Sequence, residues 1–138
     1  MQRSALRRFG ASLRKEPCQA ATLTELGTRR IFDEEHDLLR ENARRFFEEE
    51  VKPHHAQWEQ DGHISRECWE EAGKNGLLCL TIPEEYGGGG GDVKHAAVVW
   101  EEQSYSLSTG PGFSLHSEIC APYLLHYGSE EQKKRFLP

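Results

Sequence analysis

The sequence predicts an all-α chain, a helical bundle of four to five helices. Three observations predict it. Apolar residues recur at spacings of three and four rather than two. Residues suited to capping a helix, Asp33, Ser65, Asp92 and Ser129, stand at the starts of those periodic stretches. The one short apolar run, Leu77 to Ile82, has no evident partner strand and reads as buried extended chain ending at Pro83.

The first helix starts after Asp33, with Glu34 and Glu35 in its first turn, where acids suit the positive end of the helix dipole. Leu39, Ala43, Phe46 and Phe47 form its inward stripe, with Leu38 beside them, and Arg40, Glu41, Arg44, Arg45 and Glu48 its polar face. It is expected to end by Val51, because Pro53 disfavours helix at Lys52. A second helix, about 66–75, turns Trp69 and Ala72 inward and stops near Gly76. The third, about 93–107, places Ala96, Val99, Trp100 and Gln103 at core spacing, with Val93 and Leu107 extending the stripe and Glu101-Glu102 facing solvent. The fourth, about 112–126, offers Leu115, Ile119, Tyr123 and Leu124, and Glu118 is expected to face outward. Ser129-Glu130-Glu131-Gln132 is a capping box opening a fifth helix, which reaches Phe136 and stops at Pro138.

Charge divides the chain. Residues 1–30 hold seven Lys/Arg and two acids; residues 31–138 hold ten and twenty-one. The acidic body offers no basic stripe for phosphates, so nucleic acid is not an expected partner. The start is different: Arg3, Arg7, Arg8, Arg14 and Lys15 precede the first acid, Glu16, and Leu6, Phe9 and Leu13 share one helical side. Basic, acid-poor and amphipathic is the pattern of a mitochondrial transit peptide, expected over 1–30, with the folded domain over 31–138. No run of about 18 apolar residues is present, so no membrane-spanning helix is expected.

Few residues point to chemistry. Cys18, Cys68, Cys79 and Cys120 form no C-x-x-C pair and read as reduced, mostly buried thiols. His54-His55 follows Pro53 and reads as loop, and no metal site is expected. Five consecutive glycines, Gly87 to Gly91, lack both the Lys-Ser/Thr of a phosphate loop and a βαβ setting, so a structural turn is the reading.

The landmarks, taken in order, carry more than any one of them. Asp33-Glu34-Glu35-His36-Asp37-Leu38-Leu39 opens the first helix and Phe46-Phe47-Glu48-Glu49-Glu50-Val51-Lys52-Pro53 closes it. Ile82-Pro83-Glu84-Glu85-Tyr86-Gly87-Gly88 follows, then Gly128-Ser129-Glu130-Glu131-Gln132-Lys133. Over about residues 27–138 this series resembles the N-terminal helical domain of the acyl-CoA dehydrogenase family. Val99 to Tyr105 and Gly110 to Ser117 are most similar to its long-chain members.

The resemblance implies flavin-dependent α,β-dehydrogenation of a long-chain acyl-CoA in the first step of fatty acid β-oxidation. It further implies FAD as cofactor, electron-transferring flavoprotein as electron acceptor, a homotetramer, and the mitochondrial matrix. The family's catalytic glutamate and main flavin contacts lie in later domains, so no catalytic or cofactor-binding residue is expected in this stretch. An end at Pro138 reads as truncation before the β-domain. What the resemblance leaves here is one wall of the acyl pocket, with Pro111, Gly112 and Leu115 as substrate-binding residues. Proline at a helix start is also ordinary capping chemistry. The rival reading is a non-catalytic helical interaction module or pseudoenzyme.

Overall fold

The structure, a computed structural model, describes residues 30–137; the transit-like stretch and Cys18 lie outside the described residues. The order is α1 (Glu34–Phe46), a π turn (Phe47–Val51), α2 (Lys52–Asp61), α3 (Arg66–Lys74), a 3₁₀ turn (Glu84–Tyr86) and α4 (Val93–Ser106), followed by α5 (Phe113–Leu115), a second π turn (His116–Cys120), α6 (Ala121–Tyr127) and α7 (Glu130–Phe136). No strand occurs among the described residues, as the sequence predicts. None of these helices is long and apolar enough to cross a membrane.

The caps form where expected. The Ser65 hydroxyl accepts from the Cys68 amide, Asp92 accepts from the Lys94 amide, and Ser129 with Gln132 closes the predicted capping box. Asp33 and Asp92 also begin two boxes of an unforeseen type, in which His36 and His95 reach back to the cap amides.

The end expected at Val51 is overturned. The chain stays helical through Asp61 by opening one wide turn before Pro53. A proline inside a helix lacks an N–H and its ring collides with the carbonyl four residues back. Here the Lys52 amide bonds to the Phe47 carbonyl, five residues back, which relaxes the ladder where Pro53 would clash. The same device recurs before Pro122, where the Ala121 amide bonds to the His116 carbonyl.

The main core gathers Ala43, Phe46, Phe47 and Val51 against Trp58, Cys68, Ala72, Leu77, Leu80, Val99 and Phe113. Phe113 is the hinge of this packing. Its ring lies 6.2 and 6.1 Å from those of Phe46 and Phe47, and Trp69 meets it edge-on at 4.8 Å. A smaller cluster joins Ile82, Ala121 and Leu137. Helix faces differ from expectation in three places. Leu38 is exposed on α1; Val93 and Leu107 are exposed on α4; Leu115, Ile119 and Tyr123 are exposed along α5 and α6, whose buried positions are Phe113, Ser117 and Ala121. Glu118 is half-buried and accepts from the Thr81 hydroxyl at 2.7 Å. Gly128 ends α6 with extended rather than left-handed backbone.

The glycine run folds back on the extended segment before it. The amides of Gly88, Gly89, Gly90 and Gly91 donate to the carbonyls of Pro83, Cys79, Ile82 and Leu80. Tyr86 donates its hydroxyl to Glu130, fastening this region to the start of α7.

The three described cysteines are free, and not all are buried: Cys68 is, Cys79 is half-buried, and Cys120 is exposed. Burial first, with a smaller push from Glu50, raises the Cys68 thiol to about 11. A raised thiol holds little thiolate at neutral pH, and the thiolate is the nucleophile. In native protein treated briefly with a maleimide, peptide mass spectrometry should find Cys120 labelled and Cys68 labelled only after denaturation. Equal labelling of the two would contradict this placement.

Candidate functional site

The residues expected to touch substrate lie where α4 ends and the chain turns into α5. Leu107 closes α4 in the left-handed region (φ 58°), a conformation that costs a branched side chain about 1 kcal/mol. It turns the chain sharply, and Ser108 follows buried, its amide donating to the Ser106 hydroxyl. The turn over 108–112 and the outer face of α4 enclose an open groove of about 470 Å³. Trp100, Gln103 and Leu107 form one side; Ser108, Pro111 and Gly112 form the other.

Pro111 and Gly112 therefore line one groove together, and Leu115 does not. It lies one turn further on, 56% exposed. Pro111 itself is buried, while a Cβ added to Gly112 would meet no heavy atom within 4 Å. Proline fixes the entry to the helix, and glycine leaves space beside it.

Two side chains hold the turn, and neither was given that part by the sequence. Gln103 donates through Nε2 to the carbonyls of Ser108 (3.0 Å) and Pro111 (2.7 Å). His55, on helix rather than in the expected loop, accepts from the Thr109 amide through Nε2 at 3.3 Å. A polar residue at a core-spaced position was the available signal for Gln103. His55 left none, because its partner lies fifty-four residues away in sequence.

A charged seam joins α1 to α4. Arg40, expected on a solvated face, is 4% exposed, and Glu102, expected in solvent, is 2% exposed. Arg40 Nη1 donates to Glu101 (2.6 Å) and Glu102 (3.0 Å), and Arg44 Nε donates to the other Glu102 oxygen (2.9 Å). The Arg40 guanidinium also lies 5.1 Å from the centre of the Phe32 ring. Burial alone pulls the Arg40 pKa down; the bonds it donates to Glu101 and Glu102, with their negative charge, outweigh it and hold the pKa above its ordinary value. Adjacent carboxylates committed to two arginines are not poised to take a proton from substrate.

Near the starts of the same helices, Glu35, His36 and His95 bring potential ligand atoms within 4.8 Å of one another. The two imidazoles lie 4.3 Å apart between centroids, and His36 is fully buried. The Asp33 amide donates to His36 Nδ1 (3.1 Å), and the Asp92 amide to His95 Nδ1 (3.2 Å). An accepting Nδ1 leaves the hydrogen of a neutral ring on Nε2, with no lone pair there for a cation. Coordination through His36 Nε2 would require that ring to release its cap; His95 Nδ1 also lies 3.1 Å from the Asp92 carboxylate, so both rings are engaged at their helix starts and read as helix-capping groups.

Comparison with known proteins identifies the family of this domain. The model of the family described as "Acyl-CoA dehydrogenase, N-terminal domain" matches residues 33–138. The mitochondrial long-chain specific acyl-CoA dehydrogenase of Sus scrofa is 60% identical over 129 residues, which are 94% of this chain and 30% of that enzyme. The chain thus spans about three-tenths of the length of such a relative. Among solved structures, an acyl-CoA dehydrogenase from Geobacillus kaustophilus superposes with a TM-score of 0.74 at 41% identity, over 80% of this chain and 29% of that one. An acyl-CoA dehydrogenase from Bacillus anthracis complexed with FAD gives 0.62 at 32% identity, over 78% and 19%. With the helical order, the caps and this match in agreement, the chain belongs to the acyl-CoA dehydrogenase family and carries its N-terminal helical domain.

Proposed function

We propose that this chain is the N-terminal domain, over residues 31–138, of a mitochondrial long-chain acyl-CoA dehydrogenase, and that its groove at the α4–α5 turn is one wall of the acyl pocket. The preceding residues, 1–30, act as the targeting segment to the mitochondrial matrix. The whole enzyme would oxidise a long-chain acyl-CoA at its α,β bond and pass electrons to electron-transferring flavoprotein, as a homotetramer. The observation that carries the groove reading is the empty space beside Gly112, bordered by Pro111 and by the exposed Trp100 and Leu107. Trp100, Leu107 and Pro111 give the groove apolar surface beside unfilled volume, among the polar Gln103, Ser104, Ser108, Thr109 and Ser114, and apolar surface of that kind suits a hydrocarbon tail.

The FAD of this family is not assigned to the described residues. The glycine loop does not fit its pyrophosphate, since the amides of Gly88 to Gly91 already donate to the chain's own carbonyls. What this domain contributes is shape: one wall against which the tail lies.

Filling the groove tests the reading. The host is the Sus scrofa enzyme with its matched stretch replaced by this chain. In it, Gly112→Leu should lower kcat/KM for palmitoyl-CoA about tenfold and leave octanoyl-CoA within about twofold, since displaced methylenes carry such discrimination. An unchanged ratio of the two would sink the reading.

A further inference from the structure

We infer that Gln103 is a positioning residue that sets the depth of this groove, an inference that rests on the acyl-wall reading above. Gln103 is half-buried near the end of α4 and itself lines the groove. A carboxamide NH2 has two hydrogens, and the two Gln103 bonds go to carbonyls at either end of one turn, Ser108 and Pro111. Pro111 has no amide to contribute, and buried carbonyls need a donor from somewhere. A single side chain thus pins both ends of the segment that carries Pro111 and Gly112.

The opposite side of the turn is held as well. The Thr109 amide donates to His55, and Gly110 lies so close to α2 and the chain after it that a Cβ there would come within 2.8 Å of Ile64 Cδ1. A small cavity of about 130 Å³, lined by His55, Trp58, Ile64 and Gly110, separates the turn from α2. The turn is therefore fixed by its hydrogen bonds, to His55 on one side and to Gln103 on the other, and the two bonds to Gln103 oppose movement into or along the groove. Losing them lets the 108–111 segment occupy volume meant for the distal end of a long tail. A short tail, ending before this point, does not sense the change.

Two variants in the same hybrid enzyme test this. Gln103→Met keeps length and removes both hydrogens; Gln103→Glu keeps shape and places a carboxylate against two carbonyls. Both should raise KM for palmitoyl-CoA about five- to tenfold, with kcat for octanoyl-CoA within about twofold. For Gln103→Glu the defect should shrink as pH is lowered and the introduced carboxyl regains a hydrogen to donate. The wild-type protein should show no matching change in chain-length ratio. Equal losses on both substrates together with a fall in melting temperature would overturn the inference and make Gln103 merely structural. If Gly112→Leu shifts the chain-length ratio and neither Gln103 variant does, the groove stands and this inference falls. If Gly112→Leu shifts nothing, both fall.

Discussion

Replacing Glu102 by leucine should lower the stability of this chain by about 3 kcal/mol, a large share of what a domain this size possesses. The carboxylate is the link between two arginines of α1 and the buried face of α4. Arg40 is 4% exposed and cannot turn its charge to water without undocking α1. Removing one member of a buried ion pair leaves the other charge desolvated, which costs about 3–5 kcal/mol. Two features place the expectation at the lower end of that range. Glu101 remains on Arg40 at 2.6 Å, and the Arg44 side chain is half exposed, so its bond contributes less. By circular dichroism the melting temperature should fall by roughly 10–20 °C. Arg40→Met introduced together with Glu102→Leu should recover most of the loss, because an apolar pair carries no desolvation cost. A single variant melting with the parent would show the seam to be incidental to packing.

Gly88→Ala should be almost as damaging, for a steric reason. The added methyl would sit 2.2 Å from the Ile82 carbonyl oxygen and 2.5 Å from Ile82 Cβ. Neither atom can move aside: Ile82 is fully buried, and its carbonyl accepts from the Gly90 amide at 2.9 Å. The loop must lift off the 79–82 segment, at about 3 kcal/mol, the upper end of the usual overpacking cost. Gly76→Ala is an informative companion. It has free space around it but a φ of +67°, so only the conformational penalty of about 1 kcal/mol applies. Urea midpoints should rank parent, Gly76→Ala, Gly88→Ala in falling order. The reverse order of the two variants would mean that the loop does not lie against Ile82 as described.

Of the three residues named by resemblance, Pro111 and Gly112 line one groove together, and Leu115 is exposed and not among its lining residues. The apolar spacing of α4 was read as one inward stripe. In fact Val93, Trp100 and Leu107, seven residues apart, form an exposed line, while Ala96, Val99, Glu102 and Ser106 face α1 and the core. Hydropathy favoured burying Trp100 over Glu102. The outcome is the reverse because α1 presents two arginines to α4, a fact no window along α4 contains.

What the sequence by itself determined is therefore local: where helices start, through Asp33, Ser65, Asp92 and Ser129, that α3 turns off at Gly76, and that the described residues form helices and turns with no strand. Caps and turns act over three or four residues, and those residues are adjacent in the text. Only the tertiary structure decided which charges are buried, how Pro53 is carried inside a continued helix, and that Gln103 and His55 hold the turn beneath the groove. For Arg40 and Glu102 and for His55 and Thr109, sixty-two and fifty-four residues separate the partners. Even Gln103, only eight residues from Pro111, meets it because Leu107 turns the chain back. Those pairings are made by packing, which brings helix faces together and leaves each polar group there to find the partner that the opposite face supplies.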